Sequence, residues 1–600
     1  MTQDALIHAY AVAADHYKAG RLQQAEDACR EIVARAPNQG EPWQLLGTIA
    51  ADRGQIERAV ALFRRASQLS PASAECQRNL ARVLKRQNQF DAAISAYRRA
   101  LQLEPGDAPT HAGFGDLLKA AGREIEALAA YERALAIRPD YGQAYNNYGL
   151  LLQRHHRNHE AMAAYQNAMA LLPDLPECQV NAASLLQTLG RHEEAIVLLE
   201  RALSLRPDYA LAHNNLGNAL RALGRIDEAL SRYDRALSLD PALVIALNNR
   251  AVTWMQAGQF QRAGDEFRRA IQRDPRLAET HWNYALLLLL LGDFSNGWAE
   301  YEWRWRWSGF SEPPRIFSRP LWQGENPAGK AILVHAEQGI GDTIQFVRYA
   351  RLLAGRGASV IVECQPALVR LLRSAAGVDS VIARGDPLPP YDLHVPSLGL
   401  PIRCRTTLQT IPAAVPYIIA DPMAVESWRT RLDPANGALR VGIVWAGNPN
   451  HVGDHWRSIP VSTLAPLFTM PAVNWYSLQL GAAASQMSAQ TGAGRLFDHT
   501  ADLRDFADTA ALLAHLDLII SVDTAAAHLA GAMGKRVWLL LPYVPDWRWL
   551  LARADSPWYP TMKLFRQTSV GAWAPVVKAV AGELEQASRE HRSPGRFNFS

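Results

Sequence analysis

Prolines recur at a fixed interval through the first half of the chain. They stand at Pro37, Pro71, Pro105, Pro139, Pro173, Pro207, Pro241 and Pro275, so each interval is 34 residues. A fixed period of this length indicates stacked copies of one small helical unit, each of which buries its apolar face against its neighbours. The first half is therefore predicted to be an array of repeats and not a globular domain around one core.

Small residues follow the same register. Alanine occupies Ala25, Ala59, Ala93, Ala127, Ala161, Ala195, Ala229 and Ala263, and glycine occupies Gly20, Gly54, Gly122, Gly190, Gly224, Gly258 and Gly292. The alanines allow two helices to approach closely, and the glycines suit the turn inside each helix pair. Asn88 and His156 replace the glycine twice, and Asn tolerates the left-handed conformation. Residues 1–297 thus resemble tetratricopeptide repeats, eight with a partial ninth from near Arg276, which implies an all-α superhelix.

Asparagine recurs on this register as well. The positions are Asn79, Asn147, Asn181, Asn215, Asn249 and Asn283. Asn is a mediocre helix former, so its repetition calls for a reason. One interpretation is a hydrogen bond within each helix pair. The other is a row of amides on the concave face that binds the backbone of an acceptor peptide.

Composition and charge exclude several classes of partner. The formal net charge is only +4 over 600 residues. This does not amount to the concentrated basic patch that binds nucleic acids, so no nucleic-acid partner is expected. The five cysteines are far apart and form no C-x-x-C pair, which favours a reducing compartment and no metal site. The longest apolar run, Ala285–Leu291, is far below the roughly 20 residues of a membrane span. Because the chain opens on an amphipathic pattern and not on a signal segment, a cytoplasmic location is expected.

The period changes after an aromatic linker at 298–328. Its tryptophans, interspersed with arginines, are expected to pack against the next domain, although they also suit stacking on a base or sugar. Strand-like runs then alternate with helical ones, which predicts an α/β region of two Rossmann-like halves at 329–420 and 438–590. Ligands of such sheets bind beyond the carboxyl ends of the strands. The polar turns there are Gln338–Asp342, Ala446–His451, Gln479–Gly481 and Val522–Thr524.

The segment Ser521–Gly534, SVDTAAAHLAGAMG, combines a strand end with the start of a helix. The unpaired N–H groups of a helix N-terminus suit a phosphate. The alternative is that Asp523 and Thr524 only cap the helix and His528 only bonds in the core. The segment resembles the D-T-G-x-x-H-L-x-A-A-x-G signature of the heptosyltransferase-like glycosyltransferases, whose GT-B fold consists of two facing Rossmann-like domains. This chain has Ala525 at the signature glycine.

Two further segments match that family. Gly341-Asp342 resembles its G-D turn, in which the Asp activates the acceptor hydroxyl. Arg457-Ser-Ile-Pro460 lies where the family usually has Lys-x-Trp-Pro, and Arg still offers a fork to diphosphate oxygens. The resemblance implies a glycosyltransferase with Asp342 as its catalytic base. The predicted donor-binding residues are Gly339, Gly341, Asn448, Arg457, Gln479, Asp523, Thr524 and His528.

The resemblance implies a metal-independent, inverting reaction without a cofactor, and the chain has no D-x-D segment. Tetratricopeptide repeats joined to a GT-B domain are also similar to the nucleocytoplasmic O-linked N-acetylglucosamine transferases, which suggests a nucleotide-sugar donor and a polypeptide acceptor on the repeats. The main alternative is a non-catalytic scaffold with a degenerate GT-B domain. A polysaccharide or lipid-linked acceptor is a further alternative that differs only in substrate.

Overall fold

The computed structural model describes residues 3–310, 312, 314–432, 437–451, 453–489 and 496–592. They belong to two units, Met1–Leu243 and Val244–Ser600. Each unit has its own architecture.

The first unit contains seven antiparallel helix pairs among its described residues. The helices are α1 Gln3–Lys18, α2 Leu22–Arg35, α3 Gly40–Asp52, α4 Ile56–Leu69, α5 Ala74–Arg86, α6 Phe90–Leu103, α7 Ala108–Ala120, α8 Glu124–Ile137, α9 Gly142–Arg154, α10 Asn158–Leu171, α11 Pro176–Thr188, α12 His192–Leu205, α13 Ala210–Ala222 and α14 Ile226–Leu239. The predicted tetratricopeptide array is confirmed in this unit.

The turn inside each pair has the backbone that the sequence pattern predicts. The repeat glycines of this unit have φ between 73° and 75°, and Asn88 and His156 have φ of 59°. All are in the left-handed region that terminates a helix. The repeat alanines are fully buried, because the two helices of each pair meet at these small side chains.

The second unit begins with two more helix pairs of the same kind. They are α15 Val244–Gln256, α16 Phe260–Arg273, α17 Ala278–Leu290 and α18 Phe294–Tyr301, followed by a 3-10 helix at Glu302–Arg306. The rings of this segment pack, as expected: Trp298 and Tyr301 are each 2% exposed, and Trp303 stacks on His281 with ring centroids 3.8 Å apart. Ser311 and Pro313 of the predicted linker lie outside the described residues.

A four-stranded parallel sheet comes next, in the order β3-β2-β1-β4. Its strands are β1 Ala331–His335, β2 Ser359–Cys364, β3 Ser380–Ala383 and β4 Leu393–Pro396. Its helices are α19 Ile340–Phe346, α20 Tyr349–Gly355, α21 Val369–Leu372 and α22 Leu400–Arg403. Short 3-10 helices lie at Pro366–Leu368 and Ser397–Gly399. The sequence did not predict strand β4. Four residues ending in proline are too few to show an alternating pattern.

The last sheet has six parallel strands in the order β10-β9-β8-β5-β6-β7. The strands are β5 Leu439–Val444, β6 Val473–Ser477, β7 Leu496–Asp498, β8 Leu518–Val522, β9 Val537–Leu541 and β10 Met562–Arg566. The helices are α23 Pro422–Arg429, α24 Asp454–Arg457, α25 Val461–Phe468, α26 Phe506–Ala514, α27 Ala525–Ala532 and α28 Trp573–Arg592, with 3-10 helices at Ala482–Ala489, Thr500–Asp502 and Trp547–Trp549. The sequence did not predict β7 and β10. The α/β class predicted for this half is confirmed.

One apolar core joins most of the second unit. It includes Trp298 of α18, Val334 of β1, Phe346 of α19 and Leu529 of α27. A second core lies on the other face of the six-stranded sheet and contains Trp475 and Val577. The four-stranded sheet, the six-stranded sheet and the last repeat helices thus share buried contacts.

We expect Gly190→Ala to lower the free energy of unfolding by about 1 kcal/mol, because an L side chain is strained at its φ of 73°. Nothing lies within 4 Å of a Cβ at this position, so the loss comes from the backbone alone. The midpoint of urea unfolding, followed by circular dichroism, measures it. Gly106→Ala is the control, since that glycine has equal space and no left-handed φ. Equal midpoints for the two variants would contradict the assignment.

Candidate functional site at the carboxyl ends of the strands

The order of the six-stranded sheet defines a crevice. Strand β5 lies between β6 and β8, so the chain leaves β5 toward one side of the sheet and later returns to β8 on the other. Ligands of open parallel sheets bind at such a switch point, beyond the carboxyl ends of the two strands. The turns that border it are 445–450 after β5 and 523–524 after β8. Both were singled out from the sequence.

Helix α27 begins at this crevice. Thr524 is its N-cap residue, yet the Thr524 side chain makes no capping hydrogen bond. Its hydroxyl lies 2.9 Å from the Ser521 hydroxyl instead. The alternative, drawn from the sequence, that Thr524 only caps the helix is therefore wrong. The Thr524 side chain leaves the first N–H groups of α27 for another acceptor.

Asp523 and His528 form a buried contact beside this helix start. Asp523 Oδ1 lies 3.6 Å from His528 Nε2, and His528 Nδ1 lies 2.8 Å from the Tyr559 hydroxyl. Burial alone raises the pKa of Asp523, but His528, Trp549 and Arg457 outweigh it and hold the pKa at about 2. His528 is 5% exposed. The His528 ring therefore positions Asp523. This role is close to the alternative in which the histidine only bonds in the core.

Helix α19 brings the second sequence motif to the same place. A Cβ on Gly341 would lie 3.0 Å from His528 Cδ2 and 3.6 Å from the Cα of Ala525. Only a residue without a side chain allows the first turns of α19 and α27 to lie this close. The structure therefore brings Gly341 and Asp342 together with the D-T-A-A-A-H segment, although more than 180 residues separate them in the sequence.

The carboxylate of Asp342 has two partners. One oxygen accepts a hydrogen bond from the N–H of Gly339 at 2.8 Å, and the other pairs with the guanidinium of Arg548. Arg548 is buried and also pairs with Asp546 at 2.9 Å. Sequence reasoning missed Arg548, because Arg548 and Asp342 are 206 residues apart in the chain.

Arg457 and Asn448 lie at the other side of the crevice. Arg457 donates from Nε to Asp454 at 3.1 Å, and its side chain is 21% exposed. A Cβ on Gly447 would be 2.7 Å from Arg457 Nε, so this glycine allows the arginine to lie against the turn after β5. Asn448 is exposed and accepts a hydrogen bond from the N–H of Asn450 at 3.0 Å.

Gln479 has a different role from the predicted one of donor binding. Its Oε1 accepts from the N–H groups of Trp445 and Ala446, at 3.1 and 2.9 Å. Its Nε2 donates to the carbonyls of Ala446 and Leu480. These four bonds use the whole capacity of the amide. Gln479 therefore holds the turn after β5 and leaves no group for a ligand.

The corresponding switch point of the four-stranded sheet, between β1 and β4, is filled by protein. Glu337 follows β1, is 1% exposed and pairs with Arg304, which is fully buried. Glu337 also accepts from the N–H of Leu398, just after β4, at 2.8 Å. The sequence predicted that the linker rings would pack here but did not predict that an arginine between them would occupy the crevice.

The repeated asparagines bond mainly between neighbouring repeats. In the first unit, Asn147 donates to Asp116 at 3.1 Å and Asn181 donates to Asn146 at 2.9 Å. Asn215 accepts from Asn214 at 3.1 Å, and Asn79 is half-buried. Asn147 and Asn181 therefore bond to the preceding repeat, whereas the bond of Asn215 is within its own helix.

In the second unit, Asn283 donates to Asn248 at 3.1 Å and Asn249 is 7% exposed. Asn248 immediately precedes Asn249, as Asn146 immediately precedes Asn147. In both places the repeat asparagine of the following repeat donates to the first residue of this Asn-Asn pair. These contacts occupy part of each amide and stabilise the stacking of first helices.

Among the described residues, no helix combines the length and the apolarity needed to cross a bilayer. Likewise, no group of three or more His, Cys, Asp or Glu residues in the described part of the chain is arranged to hold a metal ion.

Sequence profiles of the tetratricopeptide repeat match residues 175–242, 216–278, 50–109 and 84–147. The chain is 28% identical over 331 residues to Protein FlbA of Caulobacter vibrioides, an alignment that covers 50% of this chain and 54% of that protein. The chain thus spans about half the length of this curated relative. The repeats indicate binding of a protein partner.

Solved structures of tetratricopeptide proteins also match. A repeat protein of Parabacteroides merdae is 16% identical with a TM-score of 0.37 and covers 42% of this chain and 98% of its own. YrrB, described as a repeat protein with an unusual peptide-binding site, is 24% identical with a TM-score of 0.26 and covers 31% and 95%.

Asp523→Asn tests the charge at the helix start. The depressed pKa of Asp523 stabilises the folded state by about 2 kcal/mol above pH 4. This contribution is lost as the pH falls from about 4 to about 2. We therefore expect the variant to unfold at lower urea than the wild type at pH 7 and the two midpoints to converge in acid. A difference that stays constant with pH would contradict the assignment.

Arg304→Met tests the closed crevice of the first sheet. It leaves Glu337 buried without its cation, so we expect a loss of about 3–5 kcal/mol in the free energy of unfolding. The matched control is Arg304→Met with Glu337→Met, which removes both charges and should recover most of the loss. Glu302 keeps Arg403 as a partner at 3.1 Å in both variants. Urea midpoints measure the effect, and equal losses in the single and double variants would refute it.

Proposed function

We propose that the chain is a GT-B glycosyltransferase that moves a sugar from a nucleotide-sugar donor to a polypeptide held by the repeats. The observation that supports this most is the contact between the first turns of α19 and α27, where Gly341 lies against Ala525 and His528. It puts a carboxylate, Asp342, next to a helix start that suits a diphosphate. A base and an anion site are what sugar transfer from a nucleoside diphosphate requires.

The donor diphosphate is assigned to the crevice between β5 and β8. The first N–H groups of α27 supply hydrogen bonds and the positive end of the helix dipole. Arg457 supplies a guanidinium fork from the opposite turn. Together they stabilise the negative charge that accumulates on the departing nucleoside diphosphate. Asp523, held by His528, fixes the turn from which α27 begins.

Asp342 is assigned as the base for the acceptor hydroxyl. Gly339 and Arg548 each occupy one lone-pair site of its carboxylate, and an ionised carboxylate has about four such sites. The remaining sites are sufficient to accept the proton of a hydroxyl. Arg548 fixes the orientation of the carboxylate, because it is buried and is itself held by Asp546.

The repeats are assigned the recruitment of the acceptor. The repeat asparagines other than Asn249 keep part of their surface in solvent, and an extended peptide presents the N–H and C=O groups that amides bind. The proposed acceptor is therefore a polypeptide.

A non-catalytic scaffold is the second candidate, and one observation favours it. Asp342 already forms an ion pair with a buried arginine, which is a sufficient structural reason for a carboxylate at this position. In that case the repeats bind partners and the α/β region keeps its shape without turnover.

Donor turnover distinguishes the two functions. The purified protein is incubated with a panel of nucleotide sugars and cell lysate as acceptor, and release of nucleoside diphosphate is followed. We expect Arg457→Gln to raise KM for the donor about tenfold or more, and Asp342→Asn to lower kcat by about 100-fold or more with donor affinity retained. Asp386→Asn is the control, since Asp386 is an exposed residue of the same half.

Three outcomes are decisive. Turnover that Asp342→Asn abolishes and Asp386→Asn spares supports the transferase. Donor binding without turnover supports the scaffold. If the protein binds none of the nucleotide sugars, the assignment of the crevice is wrong.

A further inference from the structure

A cavity of about 590 Å³ lies beside the four-stranded sheet, and none of its lining residues belongs to the candidate site. It is formed by α20 and the segment 411–417 that joins the two sheets, and its lining includes Arg348, Arg351 and Arg356 with an apolar wall of Leu352, Ile411 and Pro412. Helix α20 leads the chain back to the start of β2, and Gly357 bonds to Gly329 just before β1 at 2.8 Å. Arg356 is therefore at the amino edge of the sheet, and the cavity is separate from the crevice at the carboxyl ends.

The charge of this cavity lacks a counter-ion. Arg348 is 3% exposed, and its guanidinium donates to the carbonyls of Trp558 at 2.6 Å and Gln345 at 2.9 Å and to the Tyr417 hydroxyl at 2.9 Å. All these acceptors are neutral. Within the ranges that the structure describes, no carboxylate forms an ion pair with Arg348, Arg351 or Arg356. Three arginines therefore line one cavity without a carboxylate partner among the described residues.

The other buried arginines show that this arrangement is an exception. Arg304, Arg348 and Arg548 are the arginines that are less than a tenth exposed among the described residues. Arg304 pairs with Glu337, and Arg548 pairs with Asp342 and Asp546. A buried charge is costly unless an opposite charge is near it. The protein satisfies this rule with carboxylates at Arg304 and Arg548, whereas Arg348 is held by neutral oxygens and lies over the rings of Tyr417, Trp558 and Tyr559.

We propose that this cavity binds the phosphoryl group of an anionic ligand whose apolar part contacts Leu352, Ile411 and Pro412. Guanidinium forks match phosphate oxygens in geometry and in charge. Arg348 is held in place by its neutral partners and supplies positive charge at the buried side of the cavity. Arg351 and Arg356 are exposed and supply the charge at its mouth. The phosphoryl group belongs either to a soluble metabolite or to a lipid headgroup.

Isothermal titration with inorganic phosphate tests the site. The titration uses the full chain carrying Arg457→Gln, so that phosphate binding in the crevice between β5 and β8 is weakened. We expect saturable binding in this background and at least a tenfold weaker affinity when Arg351→Gln and Arg356→Gln are added. The matched control adds Arg319→Gln and Arg373→Gln, which remove two exposed arginines of the same half that do not line the cavity.

Each outcome decides the proposal. A loss of phosphate affinity when Arg351 and Arg356 are replaced, but not in the control variant, supports the proposal. An equal loss in the control variant would mean that only net charge matters, and it would overturn the proposal. A lack of saturable phosphate binding in the Arg457→Gln protein would overturn it as well. Co-sedimentation with phosphatidylcholine vesicles, with and without phosphatidic acid, then identifies the source. Vesicle binding that requires Arg351 and Arg356 assigns a lipid headgroup, and phosphate binding without vesicle binding assigns a soluble ligand. This test does not depend on turnover, so its failure leaves the proposed transferase unaffected.

Discussion

The close approach of α19 to α27 is the contact on which the arrangement of the α/β region depends. It exists because residue 341 has no Cβ: an added one would be 3.0 Å from the His528 ring. His528 cannot easily move away, since its ring nitrogens face Asp523 and Tyr559 and its ring stacks on Trp549. The first strand-and-helix half therefore docks on the second through a glycine on one side and a fixed histidine on the other. Larger side chains at 341 would separate the two halves of the candidate site.

Buried charge is the second constraint, and it explains how one crevice is filled. Glu337 at the end of β1 is neutralised by Arg304, so the crevice beside β4 is filled by the linker. Beyond β5 and β8, Arg457 pairs with Asp454 and keeps part of its surface in solvent. Two topologically equivalent positions thus differ, because the first receives an arginine from the linker and the second has a local ion pair.

The sequence predicted what local patterns encode. The 34-residue register gave the helix pairs, their left-handed turns and the buried alanines, because all of these depend on residues within one repeat. Strands β1, β5 and β8 were also evident, since each is a continuous apolar run followed by a polar turn. Strands β4 and β7 have four and three residues, which is too short for any period. The long-range contacts of Arg304 with Glu337, of Gln479 with Trp445 and of Arg548 with Asp342 were not predictable for another reason. These partners lie 33 or more residues away, and nothing local in the sequence specifies them.

The ion pair between Asp342 and Arg548 connects these constraints to function. A guanidinium beside a carboxylate fixes its direction, and the general base of the proposed transferase needs a fixed direction. In the proposed transferase, such a base acts only while the acceptor hydroxyl is held in the correct geometry. A repeat array would satisfy this condition, because a polypeptide bound along many repeats presents its hydroxyl at a high effective concentration. In the proposal, a fixed base and a long recruiting surface are in this sense complementary.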